Sequence, residues 1–105
     1  MKMKTISLPQ LNQLNPTLES TALKLMEEAG ELAQVIGKFR GLSGEGDNVR
    51  QTEQVVIEEI SKELLDVAQT AITMMFVIED QYGVDIEEML KQHIEKLARK
   101  KYIVE

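Results

Sequence analysis

The chain has 105 residues, 18 acidic against 12 basic side chains and a formal net charge of −6. With 43% hydrophobic residues this fits one domain with an ordinary core, and the negative charge argues against a nucleic-acid backbone as partner. No cysteine is present, which excludes disulfides and thiolate zinc sites, so a small anionic ligand would need an oxygen-held bridging cation.

The whole chain reads as a single domain, with residues 1–15 as a lead-in and a core over about 16–102. The lead-in mixes Ser, Pro, Gln and Asn with isolated leucines, as an extended or partly helical segment does. It lacks the apolar run and small-residue cleavage site of a signal peptide, so a cytoplasmic setting is expected. Asn15 then offers a cap and Pro16 suits a first turn. Leu18, Ala22, Leu25, Ala29, Leu32, Ile36 and Phe39 follow at spacings of three and four, predicting an amphipathic helix of about six turns.

Three glycines, Gly41, Gly44 and Gly46, predict a loop over residues 41–47. From about Glu53 to Tyr82 the helical pattern resumes through Ile57, Ile60, Leu64, Val67, Ala71, Met75 and Ile78, and Gly83 supplies the stop. Asp85 and Glu88 open a last helix with Ile86, Met89, Leu90, His93 and Leu97 inward; neutral His93 is expected in the core. No strand pattern and no internal repeat is present, and the longest apolar stretch, residues 71–78, falls far short of the roughly 20 that span a bilayer. The expected fold is all-α.

The second helix would run roughly 45 Å, more than so short a chain can cover. Beyond Val67 its apolar residues occupy every side of the wheel, as in a helix buried all round. A helical bundle completed by oligomerisation follows.

The acidic residues carry the chemistry. Glu28 and Glu31 share one flank of the first apolar stripe; Glu63 and Asp66 share the corresponding flank of the second, with Glu59 and Thr70 a turn away. Packed antiparallel, the two helices would gather these carboxylates at one edge of their seam. Like charges that close repel by several kcal/mol at reduced dielectric, so they must be protonated or bridged by cations. An oxygen-only donor set selects Mg²⁺ or Mn²⁺ before Zn²⁺. Solvated faces of two acidic helices are the competing reading. A di-iron bundle is excluded because it needs Glu-x-x-His pairs, and Leu90 stands three residues before His93.

Glu28-Ala-Gly-Glu31, within Leu25-Met-Glu-Glu-Ala-Gly-Glu-Leu32, followed by Glu63-Leu-Leu-Asp66 and by the basic stretch Glu95-Lys-Leu-Ala-Arg-Lys-Lys-Tyr102, resembles the MazG-like all-α nucleoside triphosphate pyrophosphohydrolases over about residues 18–102. The resemblance implies Mg²⁺ held by Glu28, Glu31, Glu63 and Asp66, with Mn²⁺ as a substitute. It also implies attack of water between the α and β phosphates of an NTP or dNTP, giving monophosphate and pyrophosphate, a chemistry suited to house-cleaning of the nucleotide pool. A homodimer or homotetramer is implied too. Glu31 or Glu63 would take the proton, and Lys96 and Arg99 would grip the outer phosphates, or else complement the helix C-terminus. No tryptophan is present to stack a base; the aromatic residues are Phe39, Phe76, Tyr82 and Tyr102, of which periodicity puts Phe39 and Phe76 in the core. The alternative to an enzyme is a non-catalytic helical oligomer or regulatory protein on the same fold.

Overall fold

The computed structural model describes residues 1–40 and 53–104, and among these it holds three α-helices and no strand: α1 Leu18–Phe39, α2 Glu53–Tyr82 and α3 Ile86–Arg99. The all-α expectation is met, and α2 spans the residues its periodicity predicts. The expected loop over residues 41–47 lies outside the described residues.

The cap of α1 differs from the Asn15-Pro16 expectation. Thr17 is the N-cap: its hydroxyl accepts from the Ser20 N–H at 3.0 Å, and the Ser20 hydroxyl accepts from the Thr17 N–H at 2.8 Å. This reciprocal pair satisfies two orphan donors at once, which Asn15 cannot do because Leu18, three residues on, has no side-chain acceptor. Gly83 closes α2 at φ +66, donating its N–H to the Glu79 carbonyl at 3.2 Å. Asp85 caps α3 by accepting from the Glu88 N–H at 3.1 Å, while the Glu88 carboxylate accepts from Gln92 at 3.5 Å. α3 ends in a Schellman turn, with Tyr102 N–H on the Leu97 carbonyl and Lys101 N–H on that of Ala98, both at 3.0 Å. Lys101 carries the left-handed conformation this demands, at φ +62.

α1 and α2 pack on each other, and α3 makes no comparable contact with either. The shape is open. The radius of gyration is 17.3 Å, against about 13 Å for a compact chain of this length.

Val77 is the one buried apolar side chain among the described residues; Thr21, Glu28 and Thr73 are the buried polar ones. The seam therefore mixes polar groups with half-buried apolar ones. On α2 the inward positions run through Ile60, Glu63, Val67, Thr70, Thr73 and Val77, while Ile57, Leu64 and Met75 of the expected stripe are exposed. On α1, Ala29 and Ile36 are likewise exposed. Met89, Leu90 and His93, expected inward on α3, are exposed because no helix of the same chain covers that face, so His93 is not a core residue of the single chain. Phe39 and Phe76 are half-buried.

The lead-in crosses α2 without regular secondary structure. Two side-chain amides of α2 tie it down: Gln69 Nε2 donates to the Pro9 carbonyl at 2.9 Å and Gln81 Nε2 to that of Pro16 at 3.4 Å.

Candidate metal centre

Glu28 and Thr21, seven residues apart, occupy the face of α1 that meets α2. Both threonines of the seam are satisfied locally: Thr21 donates to the Thr17 and Leu18 carbonyls at 2.8 and 3.0 Å, and Thr73 to that of Gln69 at 2.8 Å. These hydroxyls make no claim on the carboxylates beside them.

Glu28, Glu31 and Glu63 offer carboxylate oxygens that all lie within 4.8 Å of one another. Glu28 is buried, Glu63 half-buried and Glu31 exposed, so the group is open to solvent on one side. Asp66, one turn beyond Glu63, is not part of that tight group; with Glu28 it lines an adjoining cavity. Sequence reasoning put Glu28 on the border of the core, whereas the helix is turned so that Glu28 lies in the seam itself.

Two of these oxygens, Glu28 Oε2 and Glu63 Oε2, are buried without a hydrogen-bond partner. A buried polar atom left unpaired costs about 1–3 kcal/mol, more when charged. Two of them on one carboxylate group are what a bound cation would satisfy. The donor set is all oxygen, and His93, the only imidazole, sits on α3. The group thus fits a hard divalent ion.

Repulsion is visible in the protonation equilibria. The Glu31 carboxyl is held above its ordinary value, first by the charge of Glu28, then by loss of water, then by Glu63 and Glu27, with Lys24 opposing. Lys24 is held up in turn, mainly by its hydrogen bond to Glu28. Its ammonium lies 3.0 Å from Glu28 Oε1 and 3.7 Å from Glu27 Oε1. Sequence reasoning passed over Lys24, although its place four residues before Glu28 is the spacing at which a helix pairs opposite charges.

Lys96 and Arg99 are exposed in the last turn of α3, where positive charge complements the helix C-terminus. Among the described residues neither makes an ion pair or lines the cavity beside the carboxylates, and α3 stands away from the seam, so a single chain does not assemble them with the acidic group. No helix among the described residues is long and apolar enough to cross a membrane.

Comparison with known proteins agrees with this architecture. The sequence model of the MazG nucleotide pyrophosphohydrolase domain matches residues 16–104. The chain is also 36% identical over 81 residues, 72% of its own length and 68% of the relative's, to the uncharacterized protein YvdC of Bacillus subtilis (strain 168). No solved structure matches it significantly.

Proposed function

The chain belongs to the MazG nucleotide pyrophosphohydrolase family, and on that footing we propose that it hydrolyses a nucleoside triphosphate to the monophosphate and pyrophosphate, with Mg²⁺ held by Glu28, Glu31, Glu63 and Asp66. The observation that carries this reading is the pair of buried, unpartnered oxygens on Glu28 and Glu63 within one carboxylate group. When bound, Mg²⁺ supplies charge neutralisation and a water of lowered pKa, with Mn²⁺ able to replace it.

The protein's own part is positioning and proton transfer. Glu31, exposed to solvent at the edge of the carboxylate group, suits the role of base. Glu63, half-buried beside it, is the other candidate. Water adds to the α-phosphorus, the bond from that phosphorus to the α–β bridging oxygen breaks, pyrophosphate departs whole, and the proton passes to the carboxylate. Lys96 and Arg99 grip the outer phosphates, the Arg by its planar fork and the Lys as a point charge. Because α3 does not reach the seam of its own chain, they do so in an assembly of two or four copies. One buried apolar residue among the described residues is too little to hold a domain together, which supports that assembly.

Phosphorus NMR of a partial reaction tests the bond assignment. Monophosphate and pyrophosphate should appear together; diphosphate with orthophosphate as first products would overturn it. Absence of Mg²⁺-dependent turnover across a triphosphate panel would leave a non-catalytic oligomer on the same fold.

A further inference from the structure

The side of α1 turned away from α2 carries exposed apolar side chains. At about 100° per residue, Leu23, Met26, Gly30, Gln34 and Gly37 fall within about 80° of one another, opposite the buried Thr21 and Glu28. Leu23 is 74% exposed and Met26 73%, the most exposed large apolar side chains in the three helices. A Cβ on Gly30 or Gly37 would meet nothing within 4 Å, so each glycine is an unfilled recess in that face. Neither the α1–α2 seam nor the hydrolysis proposed above uses these five residues.

We propose that this face packs antiparallel on the same face of a second copy of the chain, crossing at Gly30. Size fixes the register. Leu23 and Gly37 lie seven residues to either side of Gly30, so when Gly30 meets its counterpart the Leu23 side chain of each copy falls on the Gly37 recess of the other. At the crossing no side chain separates the two backbones, and they can approach closely. Charge fixes the direction. Glu19 stands in the first turn of α1 and Lys38 in the last, and among the described residues neither makes an ion pair. Antiparallel pairing brings Glu19 of one copy within a turn of Lys38 of the other, whereas parallel pairing would set like charges side by side. A knob and a recess equidistant from one glycine are self-complementary, which selects a second copy over an unrelated protein. Gly30 lies between Glu28 and Glu31, so the second copy braces from behind the helix that carries two of the proposed ligands. On the pyrophosphohydrolase reading, Lys96 and Arg99 reach the seam on a different side of α1, and the two contacts together give an assembly of four. The α1 pairing itself does not depend on that reading.

The test uses the full chain, which has no cysteine of its own. Sedimentation velocity of the double variant Leu23→Glu, Met26→Glu should give half the parent's mass with unchanged helical circular dichroism, since both side chains are exposed in the single chain. Gly30→Cys should form a disulfide-linked dimer on mild oxidation, and adding Leu23→Glu and Met26→Glu should abolish it. Should the double variant lose its helices, Gly30→Cys alone decides: a linked dimer supports the pairing and its absence overturns it. A parent of two copies that links through Gly30→Cys keeps the α1 pairing and removes the delivery of Lys96 and Arg99 by a separate contact. An unaltered mass in the double variant, or linking at the same rate with and without the two substitutions, overturns the pairing. A monomeric parent does so too, and leaves this face to a partner of another sequence.

Discussion

Lys24 Nζ stands 3.0 Å from Glu28 Oε1, while the other oxygen of the same buried carboxylate has no partner. Lys24 is thus a part-time counter-ion, reaching from an exposed position to the one group of the seam that most needs positive charge. A divalent cation held by the carboxylates as proposed would compete with it. We predict that Lys24→Met lowers the melting temperature without metal, because a buried charge loses its partner. It should also enlarge the rise in melting temperature that saturating Mg²⁺ produces. Equal rises in both proteins, read by differential scanning calorimetry, would show that Lys24 plays no part in balancing the site.

The raised proton affinity of Glu31 sets a pH dependence with a definite sign. A group whose folded pKa exceeds its unfolded value contributes stability that is complete below the unfolded value and is lost as pH rises through the folded one. For Glu31 the unfolded reference is 4.5, so the metal-free protein should lose stability from this group as pH climbs through and above 4.5. Glu31→Gln should melt higher than the parent at pH 7 without metal, and the difference should vanish at pH below 4.5. A difference that persists unchanged into acid would assign the effect to packing.

Glu28→Gln and Asp66→Asn should abolish Mg²⁺-dependent turnover and keep the helical circular dichroism. Loss of several kcal/mol of charge stabilisation corresponds to about a thousandfold in kcat/KM. Unchanged activity in both would sink the ligand assignment. Lys96→Ala with Arg99→Ala should instead weaken triphosphate binding more than Mg²⁺ binding, which titration calorimetry of each ligand separates.

Much of this architecture is readable from residue spacing alone, and the failures share a cause. Periodicity finds α2 from Glu53 to Tyr82 because hydrophobic residues recur at three and four wherever their partner is. It does not say which partner. Leu64 and Met75 were placed inward on that count, yet α1 meets the face bearing Glu63 and Thr70. A smaller error hides Glu28: a carboxylate beside an apolar stripe looks peripheral, yet the helix is turned so that Glu28 is buried while Leu25 and Leu32 of the stripe are only half-buried and Ala29 is exposed. The grouping of Glu28, Glu31 and Glu63 was visible because charge repeated at i and i+3 on two successive helices. The lead-in's place on α2 was not, since hydrogen bonds across 60 residues of sequence leave no local signature.

Assembly is the fourth point. With Leu64, Leu65 and Met75 each close to half exposed, the isolated chain should not persist as a stable folded monomer at micromolar concentration. Sedimentation velocity showing one would contradict the proposed oligomer. Phe76→Glu should unfold the chain and not merely dissociate it, because Phe76 is half-buried within one chain already.

A further prediction concerns the end of α3. Lys101 adopts φ +62, a conformation that costs a side chain about 1 kcal/mol and glycine almost nothing. Lys101→Gly should therefore stabilise the fold by about 1 kcal/mol, partly offset by the greater freedom of glycine in the unfolded chain. Denaturant midpoints measure it, and a destabilised variant would mean that the Lys101 side chain has an essential contact.

The makeup of the seam reverses the usual correspondence between depth and tolerance. In most domains a saturation mutagenesis screen finds the interior intolerant and the surface permissive. Here the buried residues of one chain are Val77, two threonines bonded to their own helix and the carboxylate of Glu28, so Thr21→Val should pass nearly unnoticed in a screen for soluble protein. Substituting polar residues at outward-looking Ile57, Leu64 or Met75 should be purged. A map of tolerated changes from such a screen would trace two surfaces in separate colours: the outward stripes by loss of soluble protein, and the seam only when growth depends on the reaction.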